Sequence, residues 1–242
     1  MSGAARGTAP GAAVVREMFG RIAPRYDFLN HLLSMEVDRW WRRRVARRFR
    51  HVLERPDARV LDLCCGTGDL AVALAGQAHR AARIVGADFC HPMLERACLK
   101  FDDAGLLPLL AEGDALCLPF SGGTFHLVVA AFGFRNLADY RAGLREIFRV
   151  LSPGGELGIL EFSEADPGLF GWLYRFYFRR LLPGIGGLVS GDSGAYRYLR
   201  SSVADFPSPE TLAGWMKEAG FAEVGFRKLT RGIAYLHTGR RP

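Results

Sequence analysis

The chain contains no uncharged apolar stretch of 18 residues, so no membrane-spanning helix is expected. Its first residues, MSGAARGTAPGAA, lack an apolar core. They read as a disordered leader over 1–13 and not as a signal peptide. Cysteine is sparse: 5 residues, Cys64, Cys65, Cys90, Cys98 and Cys117. An odd count with two adjacent members argues against a disulfide framework. No pair has zinc-binding spacing, so no metal is expected, and free thiols in a reducing, cytoplasmic compartment fit best. Internal repeats are absent. Apolar residues at 49% and charged residues at 24% exclude a disordered tail, a collagen-like fibre and a coiled-coil rod.

What remains is a 242-residue globular chain, large enough for one domain with an appended subdomain. Its net charge of +7 and pI near 9.5 fit contact with nucleic acid, contact with an anionic membrane surface, or simply an arginine-rich proteome. Residues 14–53 read as an N-terminal helical cap, broken at Pro24, with Asp27 and Ser34 as N-caps. Within it, Trp41, Val45 and Phe49 recur at helical spacing, while Arg42, Arg43, Arg44, Arg47 and Arg48 form a basic face. That face suits either solvent or anionic lipid.

From Arg59 onward, apolar runs alternate with helical segments. The runs are RVLDLC, ARIVGAD, LPLLAEGD, FHLVVAAF and GELGILEF, the last entered by a turn at Pro153-Gly154-Gly155. This alternation predicts a doubly wound α/β fold with a mostly parallel sheet over 54–242. A stretch at about 165–205, rich in aromatics, arginine and glycine, reads as an inserted helical lid. SPETLAGWMKEA then forms a helix capped by Ser208 and ended by Gly220. Two strands follow around a turn at Arg231-Gly232.

The chemistry centres on VLDLCCGTGDLA, residues 60–71. A strand runs into a turn carrying Gly66 and Gly68, and a helix begins near Asp69. In an open α/β sheet such a turn faces the ligand. A dinucleotide would also use it, with Asp88 about 20 residues on as the ribose acid. Asp62 and Asp69, however, place negative charge where a pyrophosphate would dock. S-adenosylmethionine has no phosphate and carries a sulfonium and an ammonium, so acidic groups suit it. The competing reading is an acidic turn that only caps the helix. Asp88 can accept from both ribose hydroxyls, with Phe89 and Met93 flanking an adenine ring. In EGDALCLPF, Asp114 can accept from the adenine amino group and the Ala115 amide can donate to a ring nitrogen; a turn aspartate is the alternative.

Together VLDLCCGTGDLA, GADFCHPML, GDALCLPF, FGFRNLADY and RVLSPGGELGILEFS resemble the class I methyltransferase fold, with a seven-stranded sheet. MFGRIAPRYDFLNHLLSMEVDRWWRR and the segment LYRFYFRRLLPGIGGLVSGDSGAYRYLR narrow the resemblance to the C-methyltransferases of ubiquinone and menaquinone biosynthesis. The similarity covers about Val15 to Gly239, and VDRWWR is closer to the menaquinone branch. It implies Thr67, Asp88, Asp114 and Ala115 as cofactor contacts. Ala131 stands where some members carry a cofactor-contacting Ser.

The activity implied is S-adenosylmethionine-dependent C-methylation of a prenylated quinol, most like demethylmenaquinol to menaquinol. A benzoquinol of the ubiquinone pathway, another small molecule, or RNA are the alternatives. No nucleic-acid partner is expected, since no RNA-binding appendage or amino-methylation motif is present. A quinol hydroxyl has a pKa near 10, so forming the nucleophilic ring carbon calls for a base or a cationic stabiliser. Arg135 is the expected phenolate stabiliser and Asn136 its orienting partner. Helix-capping or salt-bridging is the alternative for Arg135. Tyr26, Asp27, Asn30 and His31 are the candidates for a base, while His126 and His91 read as structural. The aromatic residues between Phe170 and Phe178 suit a prenyl tail at a membrane surface.

Overall fold

The computed structural model describes residues 12–27, 34, 36–163, 198 and 201–242. Most of the expected lid, the Phe170–Phe178 aromatics, Asn30 and His31 therefore lie outside the described residues, as does most of the leader.

Helix α1 (Ala12–Ile22) gives way to a single 3-10 turn, Ala23–Arg25, because the Pro24 ring blocks continuation of the helix. Helix α2 (Val37–Arg48) and the short α3 (Arg50–Leu53) follow. The expected continuous helix is broken at Phe49, where φ is −103° and ψ is 16°. The N-cap of α2 is Glu36 in a left-handed conformation, not Ser34. The Ser34 hydroxyl instead donates to Asp38 Oδ1 at 2.5 Å. Trp41, Val45 and Phe49 are buried as their spacing predicts. Arg42, expected on the basic face, is buried too: its guanidinium bonds the Asp38 carboxylate one turn back and lies 3.5 Å from Asp69.

The sheet has seven strands in the order β3-β2-β1-β4-β5-β7-β6. The strands are β1 (Arg59–Leu63), β2 (Arg83–Asp88), β3 (Leu110–Glu112), β4 (Phe125–Ala131), β5 (Leu151–Phe162), β6 (Ala222–Leu229) and β7 (Ala234–Arg240). The first five pair in parallel, and β7 joins β5 and β6 antiparallel. Helices α4 (Asp69–Ala75), α5 (His91–Asp103), α6 (Tyr140–Val150) and α7 (Pro209–Glu218) cover the two faces. Ser208 caps α7 through the Thr211 N–H, as read from the sequence. The Pro153-Gly154-Gly155 turn lies within β5, where two residues of β4 advance against five of β5. Hydrophobic cores form on both faces of the sheet, one under α2 and α4, the other under α6 and α7. The strand order reverses between β1 and β4, the place where an open α/β sheet binds its ligand.

Candidate functional site

A cleft opens at the carboxyl ends of β1, β2 and β4. Its floor is the Cys64–Gly68 turn. Gly68 has φ +87°, and a Cβ there would meet the Phe101 ring at 2.6 Å, so no other residue fits without rearrangement. Beside it, Cys64 and Phe132 are non-glycine residues held at φ 55° and 61° at the ends of β1 and β4. Gly133 fills the contact between these turns, where a Cβ would lie 2.4 Å from the Cys64 Cβ. Two strained turns locked together at a strand end are the kind of preorganisation that clusters at binding sites.

Asp62 lies under this floor. It is 1% exposed, and neither carboxylate oxygen has a hydrogen-bond partner. Burial pushes its pKa up to about 8; the nearby Ala71 N–H and the Arg42 charge only partly offset this. A buried carboxyl without a partner, beside a cleft, is an acceptor for a cationic or hydrogen-bond-donating ligand. Asp88 ends β2. Its Oδ2 accepts from the Gly66 N–H at 2.8 Å and its Oδ1 from the Cys90 N–H at 2.9 Å. Each oxygen keeps a lone pair for a ligand hydroxyl. Burial raises the Asp88 pKa against those bonds.

The structure brings most of the expected cofactor residues together. Asp62, Gly66, Thr67, Asp88, Phe89, Met93, Asp114, Ala115 and Ala131 all line the cleft. Gly68 shapes the turn from behind. Thr67 is committed elsewhere in part: its hydroxyl donates to Asp27 Oδ1 at 2.5 Å and accepts from Lys100 Nζ at 3.2 Å. Asp69 is also engaged, 2.5 Å from Lys100 Nζ and 3.5 Å from Arg42 Nη2. The turn is therefore less negative than its sequence suggests, and repulsion of a pyrophosphate is correspondingly weaker.

The expected catalytic residues divide. Tyr26 and Asn136 line the cleft. Asn136 Oδ1 accepts from the Tyr198 hydroxyl at 3.0 Å, which turns its amide donors away from Tyr198. Asp27 faces Lys100 (2.6 Å) and Thr67, in an adjoining groove and not in the cleft. Arg135 contradicts the expected role. It is 7% exposed, does not line the cleft, and its guanidinium meets Glu161 Oε2 at 3.2 Å, the Phe132 carbonyl and Ser202 Oγ. The salt-bridging alternative describes it. His126 accepts the Arg59 N–H at 3.0 Å, and His91 sits 2.9 Å from Glu112 at the start of α5; neither lines the cleft.

Sequence reasoning missed Arg16, Phe19 and Arg42, which also line the cleft; Phe132 and Gly133 line it too, as part of the FGFRN segment that follows β4. Arg16 lies 5.6 Å from the Phe89 ring centroid, so α1 closes one side of the cleft. The Asp38–Arg42 spacing of four was the available signal for an inward arginine.

A doubly wound sheet with an acidic, glycine-lined cleft at its switch point is the class I methyltransferase architecture. In keeping with this, the structure of a methyltransferase from Thermotoga maritima, described as dependent on S-adenosylmethionine, superposes with TM-score 0.64 at 19% identity, covering 93% of this chain and 99% of that one. Residues 8–241 match the ubiE/COQ5 methyltransferase family, and the chain belongs to it. A demethylmenaquinone methyltransferase from Thermus thermophilus is 52% identical over 225 residues, covering 93% of this chain and 100% of that protein. A ubiquinone/menaquinone biosynthesis C-methyltransferase from Geobacter sulfurreducens is 44% identical over 229 residues, covering 94% and 88%.

Proposed function

We propose that this enzyme methylates a ring carbon of a prenylated quinol from S-adenosylmethionine, with demethylmenaquinol as substrate and menaquinol as product. The observation that carries the reading is the 52% identity to a demethylmenaquinone methyltransferase across that protein's whole length. The unpartnered Asp62 carboxyl supports the cofactor, because it offers an ammonium a buried acceptor that becomes an anion on losing its proton. Asp88 would hold the ribose hydroxyls, Asp114 and Ala115 the adenine edge, and Phe89 with Met93 the ring faces. When bound, S-adenosylmethionine supplies an electrophilic methyl group on a sulfonium.

The chain's own task is to make a ring carbon nucleophilic. Loss of the proton from a quinol hydroxyl pushes electron density onto the adjacent carbon. Asn136, fixed by Tyr198, donates from Nδ2 to that oxygen as its charge grows. Tyr26, Phe19 and Phe132 narrow the cleft and keep water from the reacting atoms. Arg135 and Asp27 act from behind, Arg135 by holding the turn that presents Asn136, Asp27 by tying the segment after α1 to Lys100 and Thr67. The substrate's tail places the enzyme at a membrane surface.

Purified protein with labelled S-adenosylmethionine, offered demethylmenaquinol, a polyprenyl benzoquinol and RNA in parallel, tests the reading. Label is expected in the naphthoquinol and only when a reductant is present, since an oxidised ring is too electron-poor to attack a sulfonium. Equal rates with quinone and quinol, or label in RNA alone, would overturn it. The Geobacter sulfurreducens relative is named for both pathways, so the benzoquinol is the second substrate to expect.

A further inference from the structure

The cleft uses the inner side of α2; the outer side has no part in it. Trp40, Arg43, Arg44 and Arg47 fall on one face of this helix by their spacing of three and four. Trp40 is 42% exposed, and the Arg44 guanidinium lies 4.9 Å from its ring centroid. Arg39 pairs with Glu36 at 2.7 Å and Arg48 with Glu156 at 3.6 Å. Among the described residues, Arg43, Arg44 and Arg47 have no carboxylate partner. Arg39, Arg43 and Arg47 stand one turn apart along a groove of about 740 Å³. Its two acids, Asp27 and Asp69, are both held by Lys100. Arginines at successive turns repel one another. An external anion is the partner that relieves this.

We infer that this face of α2 docks on the headgroup layer of an anionic phospholipid bilayer. Trp40 lies at headgroup level, and Arg43, Arg44 and Arg47 meet lipid phosphates. The inference rests on the quinol reading, because a prenylated substrate resides in a bilayer. The groove shares Arg42 and Asp69 with the cleft, so a membrane on this face lies beside the site where that substrate reacts. Charge complementarity selects the occupant, and a single exposed indole among the described residues selects lipid over single-stranded nucleic acid, which stacks successive bases on several aromatics.

The test sediments the full-length protein with vesicles of phosphatidylcholine alone or with phosphatidylglycerol mixed in. Binding is expected only with phosphatidylglycerol, and weakening with salt. The double variant Arg43→Gln/Arg47→Gln is expected to lower partitioning about 25-fold, from about 5-fold per arginine. Trp40→Ala is expected to weaken it as well. Both variants should retain wild-type methyl transfer to a detergent-dispersed quinol. Absence of binding to anionic vesicles at low salt, or binding indifferent to Arg43 and Arg47, overturns the inference. So does binding of single-stranded RNA with the same arginine dependence and no vesicle binding. Methylation failing on every quinol while vesicle binding persists would remove the proposed function instead, so the two failures are distinct.

Discussion

The Arg135 guanidinium lies on the Glu161 carboxylate, Nη1 to Oε2 3.2 Å, with both side chains buried. Glu161 Oε1 also accepts the Arg135 backbone N–H at 3.1 Å, and the Tyr140 hydroxyl donates to the Arg135 carbonyl at 3.0 Å. These bonds fix the turn Phe134–Asn136 that delivers Asn136 to the cleft. Burial raises the Glu161 pKa despite the arginine beside it. Arg135→Met and Glu161→Gln each leave a buried polar group uncompensated, so each is expected to destabilise the fold by about 3–5 kcal/mol. Melting temperature and single-turnover rate measured on the same preparation check this. A variant of unchanged melting temperature with slow chemistry would place Arg135 on the quinol oxygen after all.

The raised pKa of Asp62 links stability to pH. Its carboxyl has a pKa of 3.8 unfolded and about 8 folded, so the folded protein holds a proton that the unfolded chain releases between those values. The contribution is fully present below about pH 4 and is lost as pH rises through about 8. Unfolding free energy of the ligand-free protein should therefore fall from about pH 4 to about pH 8, and Asp62→Asn should flatten the slope. Asp88, also raised by burial, contributes in the same sense. If Asp62 holds the ammonium as proposed, binding of S-adenosylmethionine is expected to draw it into its charged form and release a proton. Calorimetry in buffers of different ionisation heat detects that release; identical heats in both would count against Asp62 as the ammonium partner.

Asp88 holds the turn through Gly66 and Cys90, and substitution tests whether it also holds the ribose as proposed. Asp88→Asn keeps one acceptor for the Gly66 or Cys90 N–H but turns a donor toward the other. Affinity for S-adenosylmethionine is expected to fall by about 1.5–3 kcal/mol, as for lost hydrogen bonds to a charged group. The melting temperature of the ligand-free protein should fall as well. A titration in which affinity is unchanged while stability drops would confine Asp88 to the turn.

The sheet was legible because each buried parallel strand is an apolar run and each crossover helix carries a separate period. The Cys64–Gly68 turn was legible because glycines beside acids at a strand end leave few alternatives. The inward path of Arg42 had a local signal in Asp38, four residues before it; that of Arg135 had none. Composition marks arginine as an outer residue, and only a partner brought close by the fold reverses that. For Arg135 the partner is Glu161, 26 positions away, brought near by the parallel pairing of β4 with β5 at Ala131 and Leu160. The break at Phe49 is equally non-local: its ring packs where Gly158 of β5 has no side chain, and a Cβ there would lie 2.5 Å from the ring.

Lys100 ties three elements together. From α5 it reaches Asp27 Oδ2 at 2.6 Å, Asp69 Oδ1 at 2.5 Å and Thr67 Oγ1 at 3.2 Å. It thereby joins the segment after α1, which carries Tyr26, to the turn that floors the cleft. If this tie holds the segment down, Lys100→Met and Asp27→Asn should not be additive. A double-mutant cycle is expected to give a coupling of about 1 kcal/mol, modest because both groups are partly exposed and share Asp69 and Thr67 as further partners. Either single variant should also speed tryptic cleavage at Arg16 or Arg21, since the segment opens more often once its anchor is gone. The turn beneath keeps Asp88 and Gly68 in either variant, so the melting temperature of the sheet domain should move less than the cleavage rate. Additive stabilities together with unchanged cleavage would show that α1 is held by its packing on Phe89, Cys90 and Met93 instead.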